Sequence, residues 1–478
     1  MRFSEYFELG RTQAYLDFVD IPLNTDLAVF LDPSSIKSLD SDWGHELSSL
    51  LQTFFETVLR SIRNGEDRKA KALLASLKES NEFHLGYSAG RSRGHGFGTN
   101  SADTVWSALT KSKAASSGLL RDLEDTALLI PGVGTDMISD AVCNILRGPL
   151  ILYTQHICRY HGIELTKNVA SGPIWNPQLE IWEEAMVDLP VTREYGKVIL
   201  VPKILVRSKI SYHSNEYYSH FLLPEMQREH LEIQSPLVES LKNGRLRVTK
   251  KKLVQKYGKD KLAIVNQTIE KPYVLDEYRE QKAENPPEPL SHSQFAEIES
   301  TTLPDLDSLL EDLKRLPVGA KYAGEYEDIV EKIFSVIFYP SLCSPTKQHN
   351  IHQGRKRIDI TYINEAKNGF FYWLSQHYTS PKIFIECKNY GKEVGNPEID
   401  QLSGRFSPSR GKVGILVCRS IENRERLTLR CVDTAKDDRG YIIALDDLDI
   451  ELLVQEYKDA GEKQNFIYLR KAWNALID

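Results

Sequence analysis

Arg357-Ile358-Asp359-Ile360-Thr361-Tyr362 and, further along, Lys382-Ile383-Phe384-Ile385-Glu386-Cys387-Lys388-Asn389-Tyr390 decide how this chain is read. The first alternates polar and apolar residues and the second is a β-rich apolar run ending in charge; both patterns predict strands. Successive side chains on a strand point to opposite faces, so Glu386 and Lys388 share one face and Cys387 points the other way. If the two strands pair as a hairpin, Asp359 sits opposite them, and residues 364–381 become an insertion that is long for a hairpin tip. Within it, Gly369-Phe370-Phe371-Tyr372-Trp373-Leu374 is aromatic enough to predict a short packed helix.

Two carboxylates on adjacent strands form an oxygen-rich set suited to a hard cation, Mg²⁺ or Mn²⁺. Such an ion polarises a phosphoryl oxygen and generates hydroxide near neutral pH. Lys388 would orient or deprotonate the attacking water, or offset charge building on the phosphate, and the Cys387 carbonyl offers a further metal oxygen. Upstream, Gly324–Phe334 carries Tyr326, Ile329, Val330, Ile333 and Phe334 at helical spacing behind an acidic start, which predicts an amphipathic helix leading into the core. Downstream, Lys412-Val413-Gly414-Ile415-Leu416-Val417-Cys418-Arg419 reads as a further buried strand.

Residues from about 321 to 450 resemble the PD-(D/E)XK nuclease superfamily, the restriction-endonuclease-like fold, and most of all its Mrr-like restriction branch. The resemblance implies an α-β-β-β-α-β core. In it an acid on the first helix, an Asp on one strand and a Glu-x-Lys on the next bind metal and activate water. Carried across residue by residue, it matches Glu327 to the helix acid, with Glu325 and Glu331 as competitors, Asp359 to the strand Asp, and Glu386 and Lys388 to the Glu-x-Lys pair. Gln401, in Pro397-Glu398-Ile399-Asp400-Gln401-Leu402, matches the glutamine that several branches place beside the catalytic lysine. Two departures stand out: Ile358 replaces the proline of the family name, and the Asp-to-Glu spacing of 27 positions (386 minus 359) is wider than in most members.

After Gln401 comes a basic, turn-rich segment, Gly404-Arg405-Phe406-Ser407-Pro408-Ser409-Arg410-Gly411-Lys412. Arg405 and Arg410, with Arg419 at the end of the buried strand, either grip a nucleic-acid backbone or hold an ordinary turn together.

Composition bounds the class. The 478 residues leave room for two or three domains, and 41% hydrophobic with 27% charged residues is ordinary for a globular protein. A net charge of -7 excludes a protein coated in basic surface, so nucleic-acid contact must be local. The six cysteines are scattered without a C-x-x-C pair, as expected of reduced thiols in a cytoplasm. No signal-peptide stretch and no run of 18 apolar residues is present, so a cytoplasmic protein without a membrane anchor is expected.

Lys282-Ala283-Glu284-Asn285-Pro286-Pro287-Glu288-Pro289-Leu290-Ser291 interrupts the periodic sequence and reads as a linker. The expected organisation is a mostly helical α+β sensing or targeting region over 1–281, a linker over 282–302 and a nuclease domain over 303–478, whose first helix carries leucines at 306, 309, 310, 313 and 316. In the first region Glu46–Phe55 and Met137–Leu146 read as helices, and Lys197–Pro202 as a strand. The glycine-rich basic stretch Gly86–Gly98 is either a phosphate-binding loop or a flexible one, but no Gly-Lys-Ser/Thr closes it as a P-loop. Pro131-Gly132-Val133-Gly134-Thr135-Asp136 reads as a turn and a helix start with Thr135 or Asp136 as N-cap; alternatively Asp136 and Asp140, four apart, form a recognition or second metal site. Residues 242–261 hold nine Lys/Arg against one acid, Asp260, as a DNA-facing patch or as a solvated helix capped by Thr249 with Leu253, Val254 and Tyr257 on its apolar side.

The expectation is a metal-dependent DNA endonuclease whose resemblance implies a prokaryotic restriction or anti-phage role, with a homodimer or a defence-system protein as partner. Two alternatives stand beside it: a structure-selective repair or recombination nuclease of the same fold, and a non-catalytic nucleic-acid-binding protein with a degenerate nuclease fold.

Overall fold

The computed structural model describes residues 1–77, 80–87, 108–109, 112–351, 356–461 and 465–477. The chain is mixed α/β, 51% helical and 15% strand, and divides into two compact units. The first comprises Met1–Phe3, Ile21–Val201 and Leu205–Pro289; the second comprises Ser4–Asp20, Pro202–Ile204 and Leu290–Asp478.

The second unit holds a five-stranded sheet. Its elements run α1 (His292–Glu299), α2 (Leu306–Arg315), α3 (Ala323–Ile337), β1 (Leu342–Ile351), β2 (Lys356–Asn364), α4 (Gly369–His377), β3 (Lys382–Lys388), α5 (Asn396–Ser403), β4 (Val413–Cys418), α6 (Arg424–Lys436), β5 (Tyr441–Asp446), α7 (Asp447–Ala460) and α8 (Ile467–Ile477). Strand order follows sequence order, β1 to β5. The first three strands are antiparallel and β3, β4 and β5 are parallel, as they must be once helical crossovers α5 and α6 replace the short connections. All six residues of β4 are buried, which is why that strand reads as an unbroken apolar run, with no alternation.

The remaining elements follow local chemistry. In α3, Tyr326, Val330, Ile333, Phe334 and Ile337 recur at helical spacing and are all buried. Helix α4 fills the β2–β3 connection, where its Phe371 packs edge-on to Phe338 and Phe466 (5.2 and 4.9 Å between centroids). The stripe of α2 buries Leu306 and Leu313.

The division is not linear along the chain. Of the stretch 282–302 expected as linker, residues to Glu284 close the helix Pro272–Glu284, and a capping box between Ser291 and Gln294 starts α1. The boundary falls at Pro289/Leu290. Ser4–Asp20 joins the second unit through Arg11, whose Nη2 lies 2.6 Å from Glu331 Oε2, and through Asp17 Oδ1, which accepts from the Ser344 N–H at 2.8 Å.

The first unit consists of helices and short two-stranded ladders. Asp42–Arg63, its longest helix among the described residues, starts at Ser41, whose side chain accepts from the Gly44 N–H. The expected strand at 197–202 is confined to Gly196–Lys197, paired with Val191–Thr192. Val198–Val201 is buried but unladdered: the Ile199 N–H goes to Glu82 O and the Leu200 N–H to Thr154 Oγ1. The helix Thr135–Ile145 begins after Gly134 with no side-chain cap. Asp136, expected with Thr135 as its cap, instead accepts from the Tyr87 N–H at 3.4 Å. Of Gly86–Gly98, residues 88–98 lie outside the described residues.

Candidate active site

The site forms where β2 and β3 part. Their antiparallel register runs from Ile363↔Lys382 to Ile360↔Ile385 and stops. One further step would oppose Asp359 to Glu386, and there the Cys387 N–H donates to Asp359 Oδ2 at 2.9 Å. On its other side β3 stays laddered to β4 as far as Lys388↔Cys418. Glu386 and Lys388 therefore sit on a strand held firm from one side and opened on the other.

Period-two alternation places Glu386 and Lys388 together, and Lys388 Nζ lies 2.8 Å from Glu386 Oε1. The same Nζ donates to Gln401 Oε1 at 3.3 Å, so α5 delivers its exposed glutamine beside the lysine. Glu327 is half-buried on α3. Burial pushes the Cys387 thiol well up, and the nearby Asp359 and Glu327 carboxylates push it further, so both acids lie within electrostatic reach of the strand end. Of the competing helix acids, Glu331 is already engaged. Burial would raise its carboxyl, but the Arg11 guanidinium holds it below the usual carboxylate range, and Ser335 Oγ donates to it at 2.9 Å.

Arg405, read either as a grip on a nucleic-acid backbone or as part of an ordinary turn, is buried, and its Nη1 pairs with Glu386 Oε2. The cause is local. Phe384 lies two residues before Glu386 on the same face of β3, and Phe406 stacks on it with centroids 5.8 Å apart. Anchoring Phe406 there turns the preceding arginine onto Glu386. The ring needs room: a Cβ at Gly440, at φ +108°, would overlap Phe406 and approach the Lys412 carbonyl oxygen to 2.8 Å. The other two arginines are also committed to protein partners. Arg410 Nη2 donates to Arg405 O at 3.2 Å. Arg419 donates from Nη1 to Leu313 O at 2.9 Å, lies 3.2 Å from Asp447 Oδ2 through Nε and covers the Tyr326 ring.

The donor chemistry fits a divalent cation, with one exchange required. Asp359 Oδ1 takes no hydrogen bond from any described residue, while both oxygens of Glu386, at 1% exposure, are taken by cations. Among the described residues, no group of three His, Cys, Asp or Glu gathers at metal-ligand spacing; Asp359 and Glu386 form a pair of hard oxygen donors. Seating an ion on Glu386 requires Lys388 or Arg405 to release an oxygen. A cavity of about 250 Å³ in the same unit lies elsewhere, lined by Leu427, Cys431 and Tyr468 among others.

Sequence reasoning missed two ion pairs, Arg405–Glu386 and Arg11–Glu331. The first left one signal, the aromatic Phe406 beside an arginine just after a helix. The second left none, because its partners lie 320 positions apart.

A family model described as Domain of unknown function (DUF8370) matches residues 8–213, less than half of the chain. That span includes Arg11 but ends upstream of Glu327, Asp359, Glu386, Lys388 and Gln401. No curated protein and no solved structure matches the chain. Among the described residues, no helix is long and apolar enough to cross a membrane. All six cysteines are free thiols.

Proposed function

We propose that the second unit is a metal-dependent phosphodiesterase that hydrolyses DNA as an endonuclease. The observation that carries the reading is the constellation at the end of β3: Asp359 tied to the Cys387 N–H, Glu386 and Lys388 on one face, and Gln401 3.3 Å from the lysine. The order α3-β1-β2-α4-β3-α5-β4 contains the core order that the PD-(D/E)XK resemblance implies, with α4 as an insertion between β2 and β3, and supports the reading. Fold-level analogy is the weaker warrant; the chemistry of the site is the stronger one.

Asp359 and Glu386 would hold Mg²⁺ or Mn²⁺, with the Cys387 carbonyl as a further oxygen. The ion supplies Lewis-acid polarisation of a phosphoryl oxygen. Lys388, released from Glu386 if that carboxylate took the ion, would donate from its ammonium to orient the attacking water and to offset charge building on the phosphate. Gln401, bonded to the same Nζ, would fix where that ammonium points. A restriction or anti-phage role follows from the Mrr-like resemblance alone. The double pairing of Glu386 favours a second reading, a nucleic-acid-binding protein in which a degenerate site is locked by its own cations.

Cleavage of plasmid and linear DNA with Mg²⁺ or Mn²⁺, beside folded Asp359→Ala and Lys388→Ala variants, separates the two. The expected outcome is nicked or linearised plasmid, lowered by about 100-fold or more in each variant. Wild type that cuts neither DNA nor RNA with either metal would sink the enzymatic reading.

A further inference from the structure

We infer that the first unit carries its own nucleic-acid-binding surface, built from the hairpin and helix of residues 239–259 and directed at the phosphate backbone rather than at base sequence. Residues 242–261 hold nine Lys/Arg and one Asp, a net of +8, while the whole chain carries -7; the other 458 residues therefore carry -15. So sharp a local inversion of sign on an acidic chain concentrates field at one place.

The fold presents these charges on a braced platform. Glu239–Ser240 pairs antiparallel with Leu246–Arg247, and the helix Lys250–Tyr257 follows, with Thr249 Oγ1 accepting from the Lys252 N–H. Glu239 clips hairpin to helix: its Oε1 lies 2.8 Å from Lys252 Nζ and its Oε2 3.3 Å from Arg247 Nε. Val248 and Leu253 are buried beneath, and Tyr257 Oη meets His230 Nε2 at 3.0 Å. The acids at the two ends are thereby spent, Glu239 before the basic run on the clip and Asp260 near its end on capping the next helix through the Ala263 N–H.

Lys242, Arg245, Lys251, Lys256 and Lys259 remain exposed, and none has a carboxylate at ion-pair distance among the described residues. Two flank the hairpin turn and three follow along the helix and its end. Eight helical residues span about 12 Å, enough to meet several phosphates of a duplex, whose charges recur about every 1.7 Å of axis. The apolar residues of this helix face inward and Leu246 is the one large apolar side chain exposed here, at 53%. Such a surface lacks the apolar face by which a helix beds into a lipid interface.

The test is fluorescence anisotropy of a labelled 30-base-pair duplex with the full chain in EDTA across a KCl series, so that binding is read without cleavage. A variant neutralising four exposed cations, Lys242→Gln, Arg245→Gln, Lys251→Gln and Lys256→Gln, should bind at least about 10-fold more weakly, with a log–log salt slope shallower by about 3 to 4. A variant matching wild type in affinity and slope overturns the inference. So does wild type that ignores DNA and RNA but binds vesicles of phosphatidylglycerol and phosphatidylcholine. Because EDTA removes catalysis, failure of the cleavage reading leaves this result standing, and the reverse also holds.

Discussion

Two groups of cations in this protein look alike in sequence and differ in what they touch. Arg405, Arg410 and Arg419 follow the Glu-x-Lys strand, and each is held by its own unit: by a buried carboxylate, by a main-chain carbonyl, or by an aspartate and a carbonyl together. The lysines and arginine at 242, 245, 251, 256 and 259 belong to a stretch that also reads as a solvated helix, and they stand in water. The lesson is physical. A guanidinium near a buried carboxylate offsets that group's desolvation and is pulled inward, whereas a cation whose neighbours are also cations has nothing to pull it in. Availability for phosphate is set by unspent charge, not by proximity to the Glu-x-Lys motif.

The largest effect should come from Arg405. In Arg405→Met, Glu386 stays buried with Lys388 as its single cation, and breaking such a pair costs about 3–5 kcal/mol. Hydrogen exchange should accelerate through β3, β4 and β5. Saturating Mn²⁺ should then restore protection, by about 2.7 kcal/mol at a hundredfold excess over the dissociation constant, because the ion replaces the lost charge. If the variant is as stable as wild type, the arginine is not committed and the comparison breaks. If Mn²⁺ protects neither protein, the carboxylate pair takes no cation.

Arg419 sharpens the comparison through pH. Burial pushes the Asp447 carboxyl up to about 6, against the Tyr326 hydroxyl and the Arg419 guanidinium, which both lower it. A folded value above the unfolded one, about 3.9, means that the fold holds the proton more tightly. This group therefore lowers stability as pH rises through the window between them, and its full cost remains above pH 6. Arg419→Gln raises the carboxyl further, so its penalty should be about 2 kcal/mol at pH 8 and under about 1 kcal/mol at pH 4.5. Equal losses in urea denaturation at both pH values would mean that the arginine only packs.

Legibility in the sequence followed the range of the interaction. Period two set Glu386 beside Lys388 and, with the hairpin, Asp359 at the same level; the register bears this to within one step. The aromatic run at 369–374 forms a helix, the apolar run at 413–418 is buried throughout, and Thr249 caps its helix, all decided within a few residues. What stayed hidden was spent charge and distant pairing. Nothing near Arg405 says that Glu386 will be its partner until Phe406 is known to stack on Phe384. Nothing near Arg11 points to Glu331, so Ser4–Asp20 could not be assigned to the second unit. Likewise the 197–202 run has strand composition, but beyond Lys197 the Ile199 and Leu200 N–H groups find a main-chain carbonyl and a threonine hydroxyl in place of a neighbouring strand.

The smallest effect is the most discriminating, because it asks whether the basic helix of the first unit uses its cap and its charges for different ends. Thr249 Oγ1 satisfies the Lys252 N–H at 3.4 Å, and Thr249→Ala should cost about 1 kcal/mol, seen as faster hydrogen exchange over 250–257. Lys251 points away from buried Leu253 and pairs with no carboxylate among the described residues. Lys251→Gln should therefore leave exchange within about 0.5 kcal/mol of wild type while making the salt slope of DNA binding shallower by about 0.9. Thr249→Ala should leave that slope intact, since the charges remain. If Lys251→Gln loosens the helix as much as loss of the cap does, the lysine is bound into the fold as Arg405 is, and the two groups of cations are one kind after all.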